Sequence, residues 1–142
     1  MTITEVHARL ANTCNLFLAA LTLWAFLLWL RKQPLSGGWF GAMVIYEVLT
    51  ITESLIGGYL HVQGFSAALD RPWLHILYAV NAILVLPAAY VFFNSIEDER
   101  AKALAMTLIG VFAWWMLQRN FSTGQPIHTG IQALWQLLST WS

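Results

Sequence analysis

The sequence predicts an all-α integral membrane protein: a four-transmembrane-helix bundle running up-down-up-down, followed by a C-terminal amphipathic helix lying at the membrane interface. Three observations predict it. Of 142 residues, 58% are hydrophobic and only 10% charged, with a mean hydropathy of +0.62. A soluble domain carries about 25% charged residues, and a chain this short has no single core large enough to bury so much apolar surface. The apolar residues also fall into four runs, each close to the ~20 residues that cross a bilayer. Finally, the runs are separated by short connectors of charged and turn-forming residues. Backbone polar groups cannot go unpaired in hydrocarbon, and four segments cannot close a β-barrel, so each run is read as a helix.

The first span covers about residues 8–30 and contains "LANTCNLFLAALTLWAFLLWL", without a charge. It is too long for the apolar part of a signal peptide and ends in Arg31 and Lys32, not in a small-residue cleavage site, so it is read as a retained helix. "RKQPLSGG" then supplies two cations, a proline and two glycines, which suits a turn. The second span, about 39–62, carries Glu47 and Glu53. "QGFSAALDRP" leads to the third, about 73–94, which contains Asn81 and Pro87. "NSIEDERAK" leads to the fourth, about 101–119, and "RNFSTGQP" breaks the pattern after it. Trp24, Trp29, Trp39, Trp73, Trp114 and Trp115 gather near span ends, as interfacial anchors do. Short connectors favour antiparallel neighbours.

The tail, about 127–141, alternates differently. Ile127, Ile131, Leu134, Trp135 and Leu138 share one helical face, opposite His128, Gln132, Gln136 and Ser139. It is too short to span, so it is expected to lie in the interface or to dock on a partner subunit. The whole of 1–142 reads as a single membrane domain whose main partner is the lipid bilayer. A homo-oligomer or a larger membrane complex also fits such a chain.

Seven basic and seven acidic residues leave no net charge, and no cationic cluster points to nucleic acid. Cys14 is the only cysteine and is read as a small buried hydrophobe. Hydrolase motifs and phosphate loops are absent from the sequence. Arg31, Lys32, Arg100 and Lys102 fall on one side of the predicted topology, and Arg9, Arg71 and Arg119 on the other. Positive charge favours the inside. A margin of one charge therefore puts both termini outside, the periplasmic side in a bacterium.

Polar residues inside a membrane are costly and normally face protein. Glu47, Thr50, Ser54, Gly57 and His61 recur at helical steps in span two; Ala8, Asn12, Asn15, Ala19 and Thr22 do so in span one. His75, Tyr78, Ala82 and Val85 line one face of span three, with Asn81 beside it. Glu53 lies about 14 residues beyond Trp39, roughly 21 Å into its span. A carboxyl at that depth has to be protonated, paired, hydrated or turned into protein. Asn15 and Asn81 also serve as plain interhelical hydrogen-bonding groups. A histidine at a span end is often no more than an interfacial tip.

His7, His61 and His75 all fall near the outer rim, and no histidine falls in the inner half. Two imidazoles on facing helices at matching depth are what a b-type haem requires. His61 with His75, or His7 with either, are the expected axial ligands. Arg9, Arg71 and Arg119 are candidate propionate partners, and Tyr78 is a candidate neighbour. With one rim of histidines, a second bis-histidine haem on the inner side is excluded. In architecture alone the chain resembles the four-helix membrane cytochromes b. That resemblance carries no family motif. Electron transfer would be the natural role of a haem at this rim, and histidine, tyrosine and arginine near one face are compatible with a quinone head group as donor or acceptor.

The same three histidines, completed by Glu53 or water, would suit copper or zinc, although no His-x-x-x-His pair occurs. Two other classes compete: a non-catalytic accessory or assembly subunit of a respiratory or photosynthetic complex, and a proton or small-solute transporter using Glu53 and Asn81. The two halves show no repeat that would favour transport.

Overall fold

A computed structural model describes residues 2–69 and 71–124. Helix α1 spans Ile3–Leu30, α2 Gly37–Val62, α3 Pro72–Phe93 and α4 Glu99–Thr123, with a short 3-10 turn at Phe65–Ala68 between α2 and α3. There is no strand among the described residues. All four helices are long and apolar enough to cross a membrane. The amphipathic tail expected at 127–141 lies outside the described residues.

Capping sets the helix ends, and it extends two helices beyond the hydrophobic runs. Thr2 Oγ1 accepts from the Glu5 amide at 3.3 Å, while Glu5 Oε2 accepts from the Thr2 amide at 2.8 Å. This reciprocal pair satisfies two of the otherwise orphaned donors of the first turn. It starts α1 at Ile3, so His7 belongs to the helix instead of preceding it. At the other end of the fold, α4 continues through Arg119 and Asn120 to Thr123. Those residues are polar but still hydrogen-bond as helix, and Thr123 Oγ1 donates to the Asn120 carbonyl at 2.9 Å. Ser36 Oγ accepts from the Trp39 amide at 3.1 Å to open α2, Pro72 opens α3, and Asp98 Oδ1 accepts from the Arg100 amide at 2.9 Å to open α4. Gly64 leaves α2 with φ of 84°, a left-handed turn that glycine enters without steric penalty.

Helix α1 packs closely on α4 and on α2, and α3 packs closely on α4, whereas α2 and α3 touch only sparsely. In lipid, helices associate through close packing and polar contacts, because the tails are as apolar as leucine. The α1–α4 seam is packed in that manner. Ala103, Thr107, Gly110 and Ala113 are buried at helical spacing, and a Cβ at Gly110 would run into Thr22 Oγ1. Further along the seam, Gln118 Nε2 donates to Asn15 Oδ1 at 2.6 Å. Between α1 and α2, buried Trp39 donates from Nε1 to the Leu21 carbonyl at 3.0 Å, and Phe17 stacks on Tyr46 at 6.4 Å. The core thus runs along α1, α2 and α4, and α3 closes it on one flank only.

Candidate functional site

Where α2 and α3 fail to close on one another, a cavity of about 770 Å³ opens among all four helices. Most of its wall is apolar or small. Ala8 and Ala11 come from α1, Gly57 and Gly58 from α2, and Ala79 and Ala82 from α3. The polar part of the wall includes His7, Thr50, Glu53, His75 and Asn120.

The geometry of that group follows from the helices carrying it. The capped start of α1 directs His7 toward α2, where its Nδ1 lies 3.3 Å from Glu53 Oε1. The distance is within ion-pair reach, but the contact lacks hydrogen-bond alignment. The ring sits against Gly57, where a Cβ would come within 3.0 Å of its Cε1. His75, in the first turns of α3, points its Nδ1 at the Asn120 carbonyl, 3.3 Å away. A carbonyl only accepts, so this contact puts the proton on Nδ1 and leaves a lone pair on Nε2 of the neutral ring. A Cβ at Gly124 would come within 2.9 Å of the His75 Cε1. Each histidine is therefore backed by a glycine from a neighbouring part of the fold, His7 by Gly57 within α2 and His75 by Gly124 just past the end of α4. The two rings lie 6.3 Å apart, centroid to centroid, with planes 78° apart. Neither Nε2 has a protein hydrogen-bond partner among the described residues. Asn120 Oδ1 is buried and unpartnered at the same wall.

Of the residues singled out in the sequence, the fold brings His7, His75 and Glu53 together. His61 also lines the cavity but is exposed, and its Nδ1 lies 2.6 Å from Ser66 Oγ in the 3-10 turn. Arg9 and Arg71 are exposed. The guanidinium of Arg119 lies over Trp115, 5.6 Å from the ring centre. None of these three arginines lines the cavity, and neither does Tyr78. Asn81 donates to the Leu77 carbonyl of its own helix at 2.9 Å, and Asn15 is taken by Gln118. Among the described residues, no three His, Cys, Asp or Glu side chains converge as a metal-binding group.

Asn120 and Gly124 went unrecognised in the sequence because they follow the last apolar run. The signal was there: Gly110, Ala113, Leu117, Asn120 and Gly124 continue one stripe at three- and four-residue steps past the point where hydropathy falls.

Deeper in the fold, two further polar groups have no partner. Tyr46 is fully buried with its hydroxyl unpaired, and both carboxyl oxygens of Glu47 are buried and unpaired. Comparison with protein-family models, curated proteins and solved structures finds no match.

Proposed function

We propose that the chain is a small membrane redox protein that holds one b-type haem, with the iron between Nε2 of His7 and Nε2 of His75. In this reading the helices cross the bilayer up-down-up-down with both termini outside, the tail lies at the interface, and the haem serves electron transfer near the outer rim.

The observation that carries the reading is the paired imidazoles. A metal–nitrogen bond is about 2 Å, so two rings ligating one iron sit roughly 6 Å apart centre to centre. His7 and His75 are 6.3 Å apart. Each ring rotates about its own bond to the metal, so their near-perpendicular planes are compatible with ligation. Histidine ligands usually have their second nitrogen held by a carboxylate or a carbonyl, which fixes the ring and its tautomer. Here Glu53 and the Asn120 carbonyl stand at those positions. Small residues along the cavity wall leave room for a flat macrocycle.

The test is an absorption spectrum of the purified protein, oxidised and dithionite-reduced, with haemin titrated in if the preparation is colourless. A Soret band is expected. It should be lost or converted to a high-spin form in His7→Ala and in His75→Ala, and kept in His61→Ala. A protein that stays colourless after titration rejects the haem.

A second occupant is favoured by one observation. Asn120 lines the mostly apolar cavity, and its Oδ1 is a buried acceptor without a partner that a small rotation of the side chain would present to a ligand. The hydroxyl of a hydroquinone head would satisfy it. Haem and quinone would compete for the same space. A colourless protein that binds a short-tailed quinone, and loses that binding in Asn120→Leu, would select the quinone.

A further inference from the structure

We infer that the cavity exchanges its ligand sideways with the bilayer, through a mouth between α2 and α3, so that the ligand is a membrane-dissolved molecule and not one arriving from water. The inference rests on the reading of the cavity as a ligand site, but not on which ligand fills it.

The side chains that line the cavity between α2 and α3 also form the outer surface of the protein. Ile51 is 42% exposed and Leu55 70% on α2, and Ile76 is 39% and Val80 48% on α3. A residue can line a cavity and face outward only where the wall is open. All four are aliphatic. Their depth agrees with a lipid opening. At about 1.5 Å per residue, Leu55 and Ile51 lie roughly 10 and 16 Å below the end of α2, and Ile76 and Val80 roughly 6 and 12 Å below the start of α3. A helix of 26 residues is about 39 Å long and the hydrocarbon about 30 Å thick, so helix ends overhang it by only about 5 Å on each side. The mouth therefore opens within hydrocarbon.

At its end the cavity is lined by Phe65, Ser66 and Leu69 from the connector between α2 and α3. In this roof Phe65 is itself 55% exposed, so this is the competing route from water. His61 Nδ1 lies 2.6 Å from Ser66 Oγ and ties the connector to the end of α2. His61 thus has a place in the fold that the sequence alone did not suggest: it holds the roof. Among the described residues no lysine or arginine lines the cavity, so they offer a phosphate headgroup no counter-charge there and bulk phospholipid is a poor competitor. A ligand with carboxylates keeps them at the rim, where headgroup water solvates them.

The test follows access to a thiol inside the cavity. Cys14 lines it but is nearly fully buried, so the reporter is Ala79→Cys on α3 in a Cys14→Ala background. In protein reconstituted into phosphatidylcholine vesicles, a long-chain N-alkylmaleimide dissolved in the membrane is compared with a charged methanethiosulfonate in water, and intact mass is read over time. The membrane reagent is expected to react at least about tenfold faster, because a charged reagent is excluded from an apolar passage. Leu55→Trp, at the mouth, should slow it, while Ser66→Trp, at the roof, should not. Faster reaction from water, no effect of Leu55→Trp, or no reaction with either reagent overturns the inference. The labelling needs no haem, so a missing Soret band rejects the haem and leaves this result to be read separately.

Discussion

At the scale of the residue, Glu53 and His7 show how a pair can be invisible in sequence and decisive in structure. The depth of Glu53 is legible from counting, and so is its need for company. Its partner is not, because the phase of each helix is readable but the rotation of one helix against another is not. The stripe Glu47–Thr50–Ser54–Gly57–His61 is a true helical face, yet the buried face of α2 runs through Trp39, Met43, Tyr46, Thr50, Glu53 and Leu60. Buried positions that advance by three and four in alternation repeat every 3.5 residues, as in helices that cross at a shallow angle. The expected stripe has the same repeat and shares Thr50, so the two differ in phase alone: the rotation of α2 turns Tyr46, Glu53 and Leu60 inward in place of their neighbours Glu47, Ser54 and His61. The consequence is testable. His7→Leu leaves Glu53 facing an apolar side chain and should destabilise the protein by about 1–3 kcal/mol, the range for a buried polar group left unsatisfied. Glu53→Leu added to it should recover most of the loss, since apolar replacement of both partners is often neutral. Thermal unfolding in detergent of the two single variants and the double variant measures this. Equal or additive losses would show that the two side chains do not interact.

At the scale of the element, the spans were legible and their ends were not. Hydropathy reports where a helix meets lipid, whereas capping and backbone bonding decide where it stops. Five residues before the apolar run, Ile3 to His7, became the start of α1 through Thr2 and Glu5, and a polar stretch became the last turns of α4. Both extensions matter, because they carry His7 and Asn120. Contacts between elements follow from size. Gly110 faces Thr22 across the α1–α4 seam with no room for a Cβ. Gly110→Ala should therefore push the two helices apart, at a cost of about 1–3 kcal/mol for overpacking. Thr22→Ala in the same chain removes the obstructing hydroxyl and methyl and should restore most of that stability. The hydrogen bond between Asn15 and Gln118 is a smaller contribution. Asn15→Ala should lower stability by about 0.6 kcal/mol, the average for interhelical hydrogen bonds in a membrane. Urea- or detergent-driven unfolding followed by tryptophan fluorescence distinguishes the two cases by magnitude. A Gly110→Ala protein as stable as the parent would mean that the seam is looser than its packing implies.

At the scale of the whole molecule, the direction of insertion is set by charge at the span ends. Four helices that are long and apolar enough to span do not by themselves say which end faces in. In the proposed topology the determinants are Arg31, Lys32, Arg100 and Lys102 on the inner side, against Arg9, Arg71 and Arg119 on the outer. Those cations do not all act alike. Lys102 is paired with Glu99 at 2.7 Å, and Arg100 lies over Trp29, 5.5 Å from the ring centre. Insertion is decided before such contacts form, however, and acidic residues weigh little in the decision, so the count of cations near the span ends is the relevant quantity. Arg31→Gln with Lys32→Gln reverses the margin, leaving two cations on one side and three on the other. In the parent, a cysteine placed at the N-terminus, in a Cys14→Ala background, should react with an impermeant maleimide added to intact cells. In the double glutamine variant a substantial fraction should become protected until the membrane is permeabilised. Protection in the parent would put both termini inside. Unchanged labelling in the variant would mean that orientation is held by something other than these two charges, such as docking of the chain onto a neighbouring subunit.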